Sequence, residues 1–142
     1  MCGIVAVYGT NNVVRDIYES LTVLQHRGQE SAGIVSYDSK HFYVVKEEGL
    51  VSDAFNSENL AYLKGKDAIG HVRYSTTGGN NINNIQPLYS KTVQGKIAIA
   101  HNGNLTNAYT LYKKLEAEGA LFQTTIDSET ILHLVSINLH VY

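Results

Sequence analysis

Residues Ile4 to Tyr8 read Ile-Val-Ala-Val-Tyr, a short β-branched run closed by Gly9, so the chain enters a buried strand almost at its first residue. Such a start anchors the amino terminus in a sheet. It also leaves the only cysteine of the chain, Cys2, just ahead of that strand. From here the pattern changes period. Val13, Val14, Ile17, Leu21 and Leu24 recur at helical spacing, with Asn12 as the N-cap and Gly28 beyond the end. Ala32 to Tyr37 and Phe42 to Lys46 are strand-like runs joined by Asp38-Ser39-Lys40, a connection of hairpin length that makes them antiparallel neighbours. A second, weaker helix follows Ser52 through Ala54, Phe55, Leu60, Tyr62 and Leu63. Two further strands, Ala68 to Ser75 and Lys96 to His101, each run into a loop rich in Gly and Asn. Leu105, Ala108, Leu111, Tyr112 and Leu115 predict another helix, stopped by Gly119, and a last one starts after Asp127-Ser128. Hairpins alternating with helices, without repeats or a linker-like boundary, give an α+β class rather than a doubly wound parallel sheet.

Composition narrows what such a fold can do. With 142 residues, 44% of them hydrophobic, the chain is of single-domain size and able to bury a core. Eleven basic against thirteen acidic side chains, with no basic stripe, speak against nucleic acid or an anionic membrane as partner. The longest apolar run falls far short of the roughly 20 residues that span a bilayer. The start resembles neither a signal peptide nor a myristoylation site, which makes the cytoplasm the expected compartment. A single cysteine forms no internal disulfide and no thiolate metal site, and the six histidines lack the spacing of a metal helix, so no metal is expected here.

Several residues could carry chemistry. If the initiator methionine is clipped, Cys2 becomes the terminal residue, and its thiol sits beside a free α-amine. An α-amino group titrates at about 7.7 to 8.0, so near neutrality it can act as a general base to its own thiol. Read alone, Cys2 is equally a small packing hydrophobe. Asn102 and Gly103 follow a strand and offer a side-chain amide and a backbone N–H, the donors an oxyanion needs; alone they are also an ordinary turn. Arg73 ends another strand with the planar fork that grips a carboxylate, or it is a solvated surface arginine. Asp127 before a helix can pair with an ammonium group, or cap that helix.

Four segments in order change the weight of these signals: Met1-Cys2-Gly3-Ile4-Val5, Leu24-Gln25-His26-Arg27-Gly28-Gln29-Glu30-Ser31-Ala32-Gly33, Gly70-His71-Val72-Arg73-Tyr74-Ser75-Thr76-Thr77-Gly78, and Ala100-His101-Asn102-Gly103-Asn104-Leu105-Thr106-Asn107, followed by Asp127-Ser128-Glu129. Together they resemble the class II glutamine amidotransferases, whose nucleophile is an N-terminal cysteine. The second and third segments favour the purine-synthesis branch over the glucosamine-6-phosphate and asparagine branches. The resemblance implies that Cys2 attacks the side-chain amide of glutamine and that Asn102 and the Gly103 N–H form the oxyanion hole. It also implies that Arg73, supported by Thr76, holds the α-carboxylate, with Gly103 and Asp127 at the amino-acid end and Asp127 pairing with the α-ammonium. Arg27 is implied as a supporting residue near the nucleophile's backbone, and Gly78 and Gly79 as hinges of a closing loop.

The implied fold is the four-layer αββα sandwich of the N-terminal-nucleophile hydrolases, truncated at its C-terminal side. Residues 1–142 then form a partial glutaminase domain, with a phosphoribosyltransferase domain absent from the chain. Phosphoribosyl diphosphate, Mg²⁺ and, where the enzyme carries one, an iron–sulfur cluster are implied for that absent portion, and no cofactor is implied for this chain. A homo-oligomer is implied for the full-length enzyme. The competing expectations are a non-catalytic remnant that binds glutamine or a partner, and the glutaminase part of another class II amidotransferase.

Overall fold

The structure, a computed structural model, describes residues 1–74, 81–93 and 95–138. Its elements are β1 (Gly3–Val7), α1 (Val13–Val23), β2 (Ser31–Tyr37), β3 (Phe42–Glu48), α2 (Val51–Ala54), α3 (Ser57–Tyr62), β4 (Asp67–Arg73), β5 (Leu88–Thr92), β6 (Gly95–Ile99), α4 (Ala108–Ala117) and α5 (Ser128–Asn138). Short 3-10 turns at Leu24–Arg27 and Ile82–Asn84 complete the set. Four strands form one antiparallel sheet in the order β1-β4-β2-β3, and β5 pairs with β6 in a second.

Period-2 alternation divides the faces of the larger sheet. Ala32, Ile34, Ala68 and Val72 turn toward α1, whose Val13, Ile17 and Leu21 recur at four-residue spacing and are buried to 1% exposure or less. Removing the Ile17 side chain to Ala would cost about 2 to 5 kcal/mol. The opposite face meets the second sheet: Phe42 packs against Tyr89 at 5.6 Å between ring centroids, and Lys46 donates to the Ile85 carbonyl at 3.0 Å. Gly33 lies where the backbone carbonyl of Gln86 comes so close that no Cβ fits, which is why glycine interrupts an otherwise apolar strand. α5 packs on β5 and β6, and α4 packs on α5. The layers therefore run helix, sheet, sheet, helix, an α+β architecture.

Several local expectations need correction. β1 is not buried throughout: it is the edge of the sheet, and Ile4 and Tyr8 are 37% and 88% exposed. The predicted second helix is two short ones, because Asn56 breaks the run and caps α3 by accepting from the Glu58 and Asn59 N–H groups. Asn12 precedes α1 but makes no side-chain cap bond, and α1 passes into the 3-10 turn before Gly28. α4 starts at Ala108 rather than Leu105. β5 carries no signal strong enough to have been read from the sequence.

Candidate active site

The site is built where β1 and β4 run side by side. Their register pairs Gly3 with Val72, and one further step sets Cys2 opposite Arg73, both on the face turned away from α1. The Cys2 thiol points to the Tyr74 carbonyl at 3.7 Å. From the 3-10 turn after α1, Arg27 Nε donates to the Cys2 carbonyl at 3.0 Å, and its Nη2 reaches the Met1 sulfur at 3.9 Å. Gly28, next in the chain, packs so tightly on Arg73 that a Cβ would fall 2.6 Å from that residue's carbonyl carbon. One short turn thus braces the backbone of both residues.

Arg73 is 6% exposed, and its guanidinium makes no hydrogen bond or ion pair among the described residues. A buried cation without an internal partner is costly unless a ligand or water supplies one. Asp127, which lines the same cavity, lies just before α5. Its Oδ2 accepts the Leu105 N–H at 2.6 Å, so the carboxylate reaches across to the turn after β6 instead of capping its own helix. The same turn is held at its start, where the His101 N–H donates to Gln86 Oε1 at 2.7 Å. The His101 ring lies 3.3 Å from Ser128 Oγ and 3.8 Å from Asp127 Oδ1.

Cys2, Arg73, Gly103 and Asp127 all line one cavity of about 440 Å³, within the range of small-molecule sites. A buried cation and a carboxylate lining one cavity suit the two charges of an α-amino acid, and a thiol lining the same cavity suits acyl chemistry. Asn102, by contrast, is exposed at its turn and does not line the cavity. Thr76, Gly78 and Gly79 lie outside the described residues.

Residues that sequence reading passed over complete the walls: Tyr74, Gln86, Thr124, Thr125 and the aromatic rings of Tyr109, Tyr112 and Phe122. Gln86 and the 124–125 segment have no local signal, since they belong to irregular stretches without periodicity, while Tyr112 was read only for the helical period of α4 and Tyr74 only as part of its segment. His71 is a further surprise. It is fully buried between the layers, neither ring nitrogen completes a hydrogen bond, and burial pushes its pKa down to about 4. The ring is therefore neutral at pH 7, beside the charge of Arg73.

A glutamine amidotransferase domain model matches residues 71–140. The amidophosphoribosyltransferase of Methanothermobacter thermautotrophicus is 51% identical over 138 residues, covering 95% of this chain and 29% of the relative. That of Escherichia coli is 47% identical over 141 residues, covering 98% and 28%. The solved glutamine phosphoribosylpyrophosphate amidotransferase from B. subtilis, a complex with ADP and GMP, superposes with a TM-score of 0.90 at 40% identity, covering all of this chain and 30% of that one. The chain therefore spans less than a third of the length of the curated relatives it matches. At this identity and superposition the fold is that of the N-terminal-nucleophile glutaminase layer sandwich, and the chain belongs to the glutamine amidotransferases, its similarity being to under a third of each amidophosphoribosyltransferase.

Proposed function

We propose that this chain hydrolyses the side-chain amide of glutamine, as the ammonia-supplying part of an amidophosphoribosyltransferase acting in the first step of purine synthesis. The observation that carries the reading is the convergence of Cys2, Arg73, Gly103 and Asp127 on one cavity. Arg73 binds the α-carboxylate and Asp127 the α-ammonium, and these two clamps bring the side-chain amide to the thiol, turning affinity for a zwitterion into orientation. Thr76 supports Arg73 in this reading.

Removal of Met1, which is 74% exposed, frees the α-amine of Cys2. That amine takes the thiol proton as sulfur adds to the amide carbon. The oxyanion receives the Gly103 N–H and the Asn102 amide, for which the Asn102 side chain must turn inward from its exposed position. The C–N bond then breaks, the amine passes its proton to the leaving nitrogen, and ammonia departs from a γ-glutamyl thioester. Water adds to the thioester carbon, the C–S bond breaks, and glutamate and the thiol are regenerated.

Among the described residues no three His, Cys, Asp or Glu side chains cluster as a metal site, and Cys2 alone cannot hold an iron–sulfur cluster. Mg²⁺, any such cluster, phosphoribosyl diphosphate and the oligomer contacts are assigned to the phosphoribosyltransferase portion of a longer protein, and no step here passes through them. No helix among the described residues is long and apolar enough to cross a membrane, and the cytoplasm is the compartment we propose.

Intact-mass spectrometry before and after exposure to 6-diazo-5-oxonorleucine tests the reading. Loss of Met1 followed by one adduct on Cys2, and none on the Cys2→Ala variant, is expected. A processed terminus that takes no adduct, or a retained Met1, overturns it and leaves a non-catalytic module.

A further inference from the structure

The carboxylate assigned to the substrate's α-ammonium stands at the end of a segment with no regular structure, residues 123–127. Two buried side chains that do not line the cavity hold that segment in place. Glu129 is 7% exposed, and its carboxylate accepts the Gln123 N–H at 2.9 Å, the Thr124 N–H at 2.8 Å and the Thr124 hydroxyl at 2.7 Å. Asn84 is fully buried, 41 residues away in sequence; its Oδ1 accepts the Thr125 N–H at 3.0 Å and its Nδ2 donates to Thr125 Oγ1 at 2.8 Å. Five hydrogen bonds therefore fix three consecutive residues that lead directly into Asp127.

Asn84 closes the 3-10 turn Ile82–Asn84, on the stretch of chain that follows Arg73 and β4. Its side chain joins the region of the carboxylate clamp to the strap that carries the ammonium clamp. The spacing between the two clamps is what a site must hold to select an α-amino acid, and misplacement of about 1 Å there costs up to about 10²-fold.

We propose, on the glutamine reading above, that Asn84 and Glu129 are positioning residues that set where the Asp127 carboxylate meets the α-ammonium of the substrate. They touch no substrate themselves. Their loss removes the preference for an α-amino acid while leaving the thiol chemistry in place.

The test compares glutamine with 4-carbamoylbutanoate, which is glutamine without its α-amino group, on the full chain with Met1 removed. For Asn84→Ala and for Glu129→Gln, kcat/KM for glutamine is expected to fall by about 10- to 100-fold while that for 4-carbamoylbutanoate stays within about threefold. Asn84→Asp, which still accepts the Thr125 N–H and its hydroxyl proton, is expected to restore part of the preference. Should Asn84→Ala fail to fold, Glu129→Gln carries the decision. Equal losses on both compounds, or an unchanged preference, overturn the proposal while the glutamine reading stands. A wild-type chain that hydrolyses neither compound overturns both.

Discussion

The two sides of the cavity are made in different ways. Cys2 and Arg73 sit at the ends of paired strands, and their positions follow from a backbone ladder, from Arg27 on the Cys2 carbonyl and from Gly28 against the Arg73 backbone. Gly103 and Asp127 sit on irregular segments, tied to each other and to the fold by side chains: Asp127 to the Leu105 N–H, Gln86 to the His101 N–H, Asn84 and Glu129 to the strap. A ladder spreads the cost of a change over many bonds. Side-chain ties concentrate it, so a single substitution on that side acts on one stretch of the site at a time.

The largest effect expected on the strand side comes from acid. His71 on β4 has an ordinary pKa of 6.5 unfolded and about 4 in the fold. Between those values the unfolded chain binds a proton that the folded chain refuses, so stability falls as pH drops from 6.5 toward 4 and levels off below. The loss amounts to roughly 3 kcal/mol. Denaturant midpoints measured across that range should show it, and His71→Leu should flatten the slope; a wild-type profile with no slope would mean that the layers admit the charged ring.

Arg27→Ala probes the same side without touching its core. Loss of the bond to the Cys2 carbonyl should lower kcat for glutamine about 10²-fold and leave KM nearly unchanged, because the nucleophile moves while both substrate clamps stay. A rise in KM of similar size would instead place Arg27 in substrate binding. The smallest effect is expected on the side-chain-built half. Ser128→Ala removes the hydroxyl 3.3 Å from the His101 ring and should cost about 1 kcal/mol of stability. Thermal unfolding checks this, and a loss as large as that from a core truncation would show that the irregular half is as cooperative as the ladder.

Much of the strand-built half was legible in the sequence. Short β-branched runs before Gly9 and around His71 mark β1 and β4, and the position of Cys2 ahead of one and Arg73 at the end of the other follows from counting residues. The other half was less legible. Asn102-Gly103 and Asp127 were found as motif residues, yet Asn102 stands exposed; Asn84 and Gln86 had no local mark of their importance, and Glu129 was met only as the end of the Asp127-Ser128-Glu129 motif, with no role attached. Their partners lie 41, 15 and 6 residues away, along stretches without period.

The sequence by itself determined the α+β class, the helical and strand periods, the likeness to N-terminal-cysteine amidotransferases and the set of reactive residue types. Those depend on local spacing and on which groups a chemistry requires. Only the tertiary structure decided that β1 is an exposed edge, that His71 is shut between layers as a neutral ring, and that Asp127 is held by Leu105 and by a strap anchored on Asn84. Each of these depends on which distant backbone groups are left to be satisfied once the layers pack, and a linear pattern carries no record of that.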